Sequence, residues 1–348
     1  MRFLFILKRR PDFNPEKHTA KGLSTGLFNS ATFMEEMLQT NGIEAGLEVA
    51  RDNNDIDRMV HQYKPSHVIL EALWVVPTKF AVLTKLHPKV KWIVRLHSEL
   101  PFIASEGMAM DWLGEYLAYS QISIGVNAPR MLSEVRSYLR IKGLKDLENR
   151  VFYLPNYYPL DVKSKKFEKN KDTIDISCFG AIRPLKNHLS QAVAALIFAD
   201  KIGKKLRFHI NSGRIEMKGD PIHNNLRGMF QQLHETGHEM VAHEWCPRDD
   251  FLKICAAMDI GMQCNFSETF NIVGADLITQ GVPLLTSKEI PWAAAEWNGD
   301  PTDTSGMVNL LEKIYDDSGR NVLINQFYLK EYSVKSEKTW MEYCKEQK

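Results

Sequence analysis

Through residues 2–155, short apolar runs of strand length alternate with stretches of helical periodicity, and the same alternation restarts at Ile174. No other feature narrows the possible folds as much. A strand that leads into a helix returns to its sheet parallel to the one before, and the helices cover the sheet faces. Strands are expected over residues 2–8, 44–51, 67–72, 91–97, 122–127 and 151–155, with helices over 27–39, 56–63, 79–86, 112–119 and 131–139. Leu27, Ala31, Met34 and Leu38 share one helical face, and Gly42 stands just past that helix. The second series has strands over 174–179, 206–211, 239–244, 260–263 and 283–286, and helices over 189–200, 226–233, 249–257 and 272–280. Two polar helices, over 306–315 and 322–346, close the chain.

The interruption, residues 161–172, carries Lys163, Lys165, Lys166, Lys169 and Lys171 with almost no apolar content, and reads as a linker. The expected fold class is α/β, with two doubly wound parallel-sheet domains facing a cleft. Their bounds are 1–157, a linker at 158–172, 173–325, and a C-terminal helix at 326–348 that crosses back to the first domain. In open parallel sheets ligands bind beyond the carboxyl ends of the strands, so chemistry is to be sought at strand ends.

The second half concentrates such residues. Phe266-Ser-Glu-Thr-Phe-Asn271 forms a loop, Asn271 caps a helix, Gly281 ends it, and Pro283 starts a buried strand. The amides of Phe270, Asn271 and Ile272 are helix-start donors that suit an anion. Glu268 stands in the loop. Asp276 lies inside the apolar run Val273-Gly-Ala-Asp-Leu-Ile278, where a carboxylate needs a partner or a ligand. The competing reading is that acids near a helix start are favoured by the dipole alone. At the end of the strand over 174–179, Gly180 permits a tight turn, and Arg183 and Lys186 are placed to neutralise a diphosphate; solvated loop cations are the commoner fate of such residues.

In the first half, Ser24-Thr-Gly26 precedes a helix and can offer amides to a phosphate, although it matches neither common glycine-rich phosphate motif. His97, at a strand end, can donate to a sugar hydroxyl or a developing charge, or can simply cap or pack. Glu71, Trp74 and Asn156 also fall at strand ends. Asp55 and Asp57 sit where acids cap a helix, and the histidines show no tight zinc spacing, so no metal site is expected.

Composition excludes several classes. Basic and acidic side chains number 44 and 43, a formal charge of +1, so no bulk field recruits nucleic acid or an anionic membrane. Five cysteines without a C-x-x-C pair suggest reduced thiols. No signal peptide or membrane-length apolar run is recognised, and a soluble cytoplasmic protein is expected.

Glu268-Thr-Phe-Asn-Ile-Val-Gly-Ala-Asp276-Leu-Ile-Thr-Gln-Gly-Val-Pro-Leu-Leu resembles the signature E-G-F-G-x-x-x-x-E-A-x-A-x-G-x-P-V-V of retaining GT-B glycosyltransferases, nearest to glycosyltransferase family 4. The likeness covers the second half; the first half joins by pattern only, at His97 and Leu154-Pro-Asn156. It implies two Rossmann-like domains and a metal-independent hexosyl transfer from a nucleoside-diphosphate sugar (UDP- or GDP-sugar), with no covalent cofactor. In that resemblance Glu268 holds donor-sugar hydroxyls, Asp276 the ribose, Arg183 and Lys186 the diphosphate, and His97 stands near the donor sugar. Three departures stand out: Thr269 and Asn271 replace glycines, Asp276 replaces glutamate, and Ala181 replaces the usual arginine. The acceptor is left open among a glycan, a lipid-linked or another small acceptor, with nucleic acid disfavoured by the near-neutral charge. A nucleotide-sugar-binding module of low activity and a sugar-nucleotide epimerase on the same fold are the alternatives.

Overall fold

The computed structural model describes residues 1–9, 26–163 and 172–347. They form two compact units, one of residues Met1–Pro159 with Ser333–Lys348, the other Leu160–Tyr332. The linker expected over 161–172 falls mostly outside the described residues, as do Ser24 and Thr25.

The first unit runs β1 (Arg2–Lys8), α1 (Gly26–Thr40), β2 (Glu44–Ala50), α2 (Asp55–Tyr63), β3 (His67–Glu71) and α3 (Phe80–Leu86). It continues through β4 (Lys91–Leu96), α4 (Leu100–Ile103), α5 (Ala109–Leu117), β5 (Ile122–Val126), α6 (Pro129–Ile141) and β6 (Val151–Tyr153). All described pairings are parallel, in the order β2-β1-β3-β4-β5-β6. The order reverses between β1 and β3, the crevice where such sheets hold ligands. Alternation along β1 feeds two cores. Leu4 and Ile6 join Trp92, Phe80 and Tyr116 on one face; Phe3 and Phe5 join Met34, Trp340 and Tyr343 on the other.

The second unit runs β7 (Thr173–Ser177), α7 (His188–Lys201), β8 (Lys205–Asn211), α8 (Asp220–Gln232), β9 (Glu239–His243) and α9 (Arg248–Ala257). It continues through β10 (Ile260–Gln263), α10 (Ile272–Thr279), β11 (Leu284–Ser287), β12 (Asn298–Gly299), α11 (Thr304–Asp316) and α12 (Ser318–Glu346), the last of which divides between the units after Tyr332. The sheet order β12-β11-β10-β7-β8-β9 is the dinucleotide-binding order 3-2-1-4-5-6 read from its far edge. Its switch point lies between β7 and β10. Ile174, Ile176, Leu206, Phe208 and Ile210 face the core under α7, α8 and α11. The opposite face of β7–β9 is polar: His209 bonds Asp175 at 2.8 Å and His243 at 2.8 Å.

The elements differ from expectation mainly at their ends. The helix expected over 226–233 starts a turn and a half earlier, at Asp220, because Pro221 fits the first turn, where its missing N–H costs nothing. The short helix Leu100–Ile103 and the two-residue strand Asn298–Gly299 have no periodicity long enough to be visible in sequence.

Candidate functional site

The loops after β7 and β10 flank the switch point of the second sheet. After β7 the chain turns at Gly180, whose φ of +117° is foreign to residues with a Cβ and whose amide donates to Asn211 Oδ1 at 2.9 Å. Arg183 follows in extended backbone, and a short turn, Pro184–Lys186, delivers Lys186. Phe266 N donates to Leu185 O at 3.0 Å, so the two loops are tied backbone to backbone.

At their junction Lys186 Nζ donates to Glu268 Oε1, and Asn265 Nδ2 donates to the same oxygen at 2.9 Å. Glu268 Oε2 has no partner among the described residues. One oxygen is anchored and the other is open to a donor from outside. Burial pulls the Lys186 ammonium below its ordinary pKa, while the Glu268 carboxylate opposes that pull. Arg183 lies 3.7 Å from Glu216, which also bonds Arg214 at 2.6 Å. Beneath this pair His188, the first residue of α7, is fully buried, with no hydrogen-bond partner for either ring nitrogen among the described residues. Burial, then Lys186 and Arg183, push it down to about 3.

The helix-start expectation can be followed residue by residue. Asn271 is the N-cap of α10: its Oδ1 accepts from Gly274 N at 2.7 Å, and its backbone has φ +66°. Asparagine tolerates that left-handed conformation better than other residues with a Cβ, so it can stand where the resembled signature has glycine. Its Nδ2 donates to Gln263 Oε1 at 2.8 Å, and Gln263 Nε2 donates to Phe179 O at 3.0 Å. Phe270 is buried, and its carbonyl accepts from Trp292 Nε1 at 2.6 Å. The amides of Asn271 and Ile272 donate to nothing in the described residues. Asp276, buried as expected, is ion-paired with Arg248 at 2.7 Å. Sequence reasoning missed Arg248, Asn265 and Gln263. Asn265 and Gln263 were within reach, since both flank the end of an expected strand; nothing local marks Arg248, which starts a helix far from Asp276 in sequence.

The first unit holds the remaining candidates. Gly26 opens α1 and is exposed, with open space where a Cβ would stand. His97 follows β4. Its Nε2 donates to Glu71 Oε2, and its Nδ1 lies 3.3 Å from Asn127 Nδ2. Arg95, which is fully buried, bonds Glu71, Leu154 O, Pro155 O and Asn156 Oδ1. Asn156 accepts from Ser30 as well, at 2.9 Å. Ala72, just past β3, has φ +72°, an uncommon backbone for alanine that coincides with the crevice. Trp74 packs at the edge of the core. Arg95 and Asn127 are the residues missed here: Asn127 ends an expected strand, and Arg95 is a charged side chain within the otherwise apolar run of another. Among the described residues no group of three or more His, Cys, Asp or Glu side chains is arranged to hold a metal ion, and no helix is long and apolar enough to cross a membrane.

Two parallel six-stranded sheets flanked by helices, one in the dinucleotide-binding order, define the class: this is the GT-B fold of glycosyltransferases. Its solved neighbours include a UDP-forming trehalose-phosphate synthase from Burkholderia vietnamiensis, with TM-score 0.69 and 9% identity over 99% of this chain and 96% of that one. Sucrose-phosphate synthase from Thermosynechococcus elongatus matches with TM-score 0.69 and 12% identity over 100% and 99% of the two chains. Anabaena HepE, solved with UDP and glucose, matches with TM-score 0.64 and 11% identity over 99% and 100%. At these identities the shared property is the fold. No protein-family model and no curated protein sequence matches the chain.

Proposed function

We propose that this protein is a cytoplasmic glycosyltransferase that moves a sugar from a nucleoside-diphosphate sugar to an acceptor hydroxyl, with retention and without a metal. The observation that carries the reading is the Lys186–Glu268 pair at the switch point, with one carboxylate oxygen anchored and the other open. Glu268 Oε2 accepts from donor-sugar hydroxyls, and Asp276 accepts from the ribose. Lys186, Arg183 and the amides of Asn271 and Ile272 take the diphosphate, whose charge grows as the glycosidic bond breaks. Fixed cations and amides supply that stabilisation without a Lewis acid. Residues 173–325 are assigned the donor and residues 1–157 the acceptor, and the resemblance of the segment around Glu268 and Asp276 to the family 4 signature supports reading the chain as a relative of glycosyltransferase family 4.

The neighbours named for UDP make UDP-glucose the first donor to try, with GDP-sugars beside it. The deciding experiment is nucleoside diphosphate release from a panel of UDP-, GDP- and ADP-sugars in EDTA, repeated on Glu268→Ala and Lys186→Ala. Release from one donor, lost in both variants, is expected. Tight binding without release would favour a binding module, and neither binding nor release sinks the proposal.

A further inference from the structure

Glu71 ends β3 and is fully buried. A carboxylate can only accept, and Glu71 accepts from Arg95 Nη1 at 3.1 and 3.3 Å and from His97 Nε2. Burial alone would raise the carboxyl, but Arg95 and His97 outweigh it and hold Glu71 below its ordinary value, hence ionised. Its place is fixed in turn by Arg95. Arg95 Nε and Nη2 donate to Leu154 O at 3.0 Å, Pro155 O at 3.0 Å and Asn156 Oδ1 at 2.6 Å, and the guanidinium lies 5.5 Å from the Trp340 ring centre. Trp340 Nε1 donates to the same Pro155 carbonyl at 2.8 Å, which fixes the ring under Arg95.

The other side of the imidazole faces Asn127 Nδ2 at 3.3 Å, an amide nitrogen and therefore a donor. Glu71 and Asn127 favour the same tautomer, a proton on Nε2 for the carboxylate and a bare lone pair on Nδ1 for the amide. Arg95 Nη1, 3.4 Å from Nε2, is the longer contact and already donates to both Glu71 oxygens. A second proton on Nδ1 would meet the amide hydrogens head on. Burial, reinforced by Arg95 against the opposing Glu71, pulls the ring below its ordinary pKa.

We infer that Glu71 and Arg95 are positioning residues that hold His97 as the neutral Nε2–H tautomer, so that its Nδ1 meets a sugar hydroxyl as a hydrogen-bond acceptor. In the free protein the Asn127 amide occupies that lone pair, and an incoming hydroxyl replaces it. This reverses the polarity expected from sequence, in which His97 donates. The substrate half rests on the reading that His97 touches the donor sugar; the tautomer half does not.

The test is a long-range proton–nitrogen correlation spectrum of the full chain labelled with nitrogen-15, with His97 assigned from its absence in His97→Gln. The expected result is a protonated Nε2 and an unprotonated Nδ1 from about pH 6 to about pH 8, across the range where free imidazole titrates. An Nδ1–H tautomer or an imidazolium over that range would overturn the inference, whatever the protein's activity. In Glu71→Gln, whose amide can donate or accept, the Nδ1–H form should rise to a comparable population, while Asn127→Ala keeps the Nε2–H form. The opposite pattern would hand control to Asn127 and overturn the role of Glu71. If Glu71→Gln does not fold, the wild-type spectrum still decides. On adding UDP-glucose, the Nδ1 resonance should shift while staying unprotonated. Binding that leaves it unmoved defeats the acceptor role alone; no binding of any nucleotide sugar defeats the donor reading and the acceptor role with it, and leaves the tautomer result standing.

Discussion

Asn271 and Gln263 are joined side chain to side chain at 2.8 Å, and this bond holds a positive φ at a loop position occupied in the resembled signature by glycine. The asparagine uses both ends of its amide: Nδ2 holds the strand-end glutamine and Oδ1 caps α10. Replacing the glycine has therefore produced a braced loop.

Asn271→Ala should destabilise the protein by about 2–3 kcal/mol, combining the cost of a Cβ at left-handed φ with the lost cap. Asn271→Gly keeps the backbone free and should cost less than half as much. Urea denaturation of the two variants checks the order; equal losses would mean that φ is not the cause.

Removing one member of the Lys186–Glu268 pair leaves a buried charge uncompensated. Lys186→Met alone should cost about 3–5 kcal/mol, and Lys186→Met combined with Glu268→Gln should recover much of that loss. Neither protein should release nucleoside diphosphate. Recovered stability together with recovered turnover would remove both residues from the chemistry.

Asp276 and Arg248 should behave as one unit. In a double-mutant cycle of Asp276→Asn and Arg248→Met, the coupling measured by denaturation should exceed about 1 kcal/mol, since both groups are largely withdrawn from water. Each single variant should also raise KM for the nucleotide sugar more than it lowers kcat. Additive stabilities would show that the contact contributes nothing.

His188 gives the stability curve a signed slope. Its ring is held near about 3 in the folded chain, against an ordinary 6.5. Between those values the unfolded chain takes a proton that the folded chain refuses, so stability is full above about pH 6.5 and falls as pH falls toward about 3. At up to about 1.4 kcal/mol per pH unit, His188→Leu should lose about 2 kcal/mol less than the native chain between about pH 6.5 and about pH 5. Parallel slopes in the two proteins would show that another group is responsible.

The strand–helix alternation, the break between its two series, and the helix started by Asn271 and stopped at Gly281 were all written locally. Each depends on contacts within a turn or two of the chain, and the side-chain period, the cap and the glycine carry that information wherever the segment lies. Lys186 and Glu268 were legible as candidates for a similar reason: each follows a recognisable strand end. What no local signal carries is who meets whom. That Arg248 reaches Asp276, that Glu216 stands by Arg183, and that Arg95 binds Glu71 from the next strand and Asn156 from the far edge of the sheet were decided by strand order and register. Those, in turn, follow from how crossovers pack on two sheet faces. A buried charge announces in sequence that it needs a partner, and only the folded chain can say which one returns close enough to supply it.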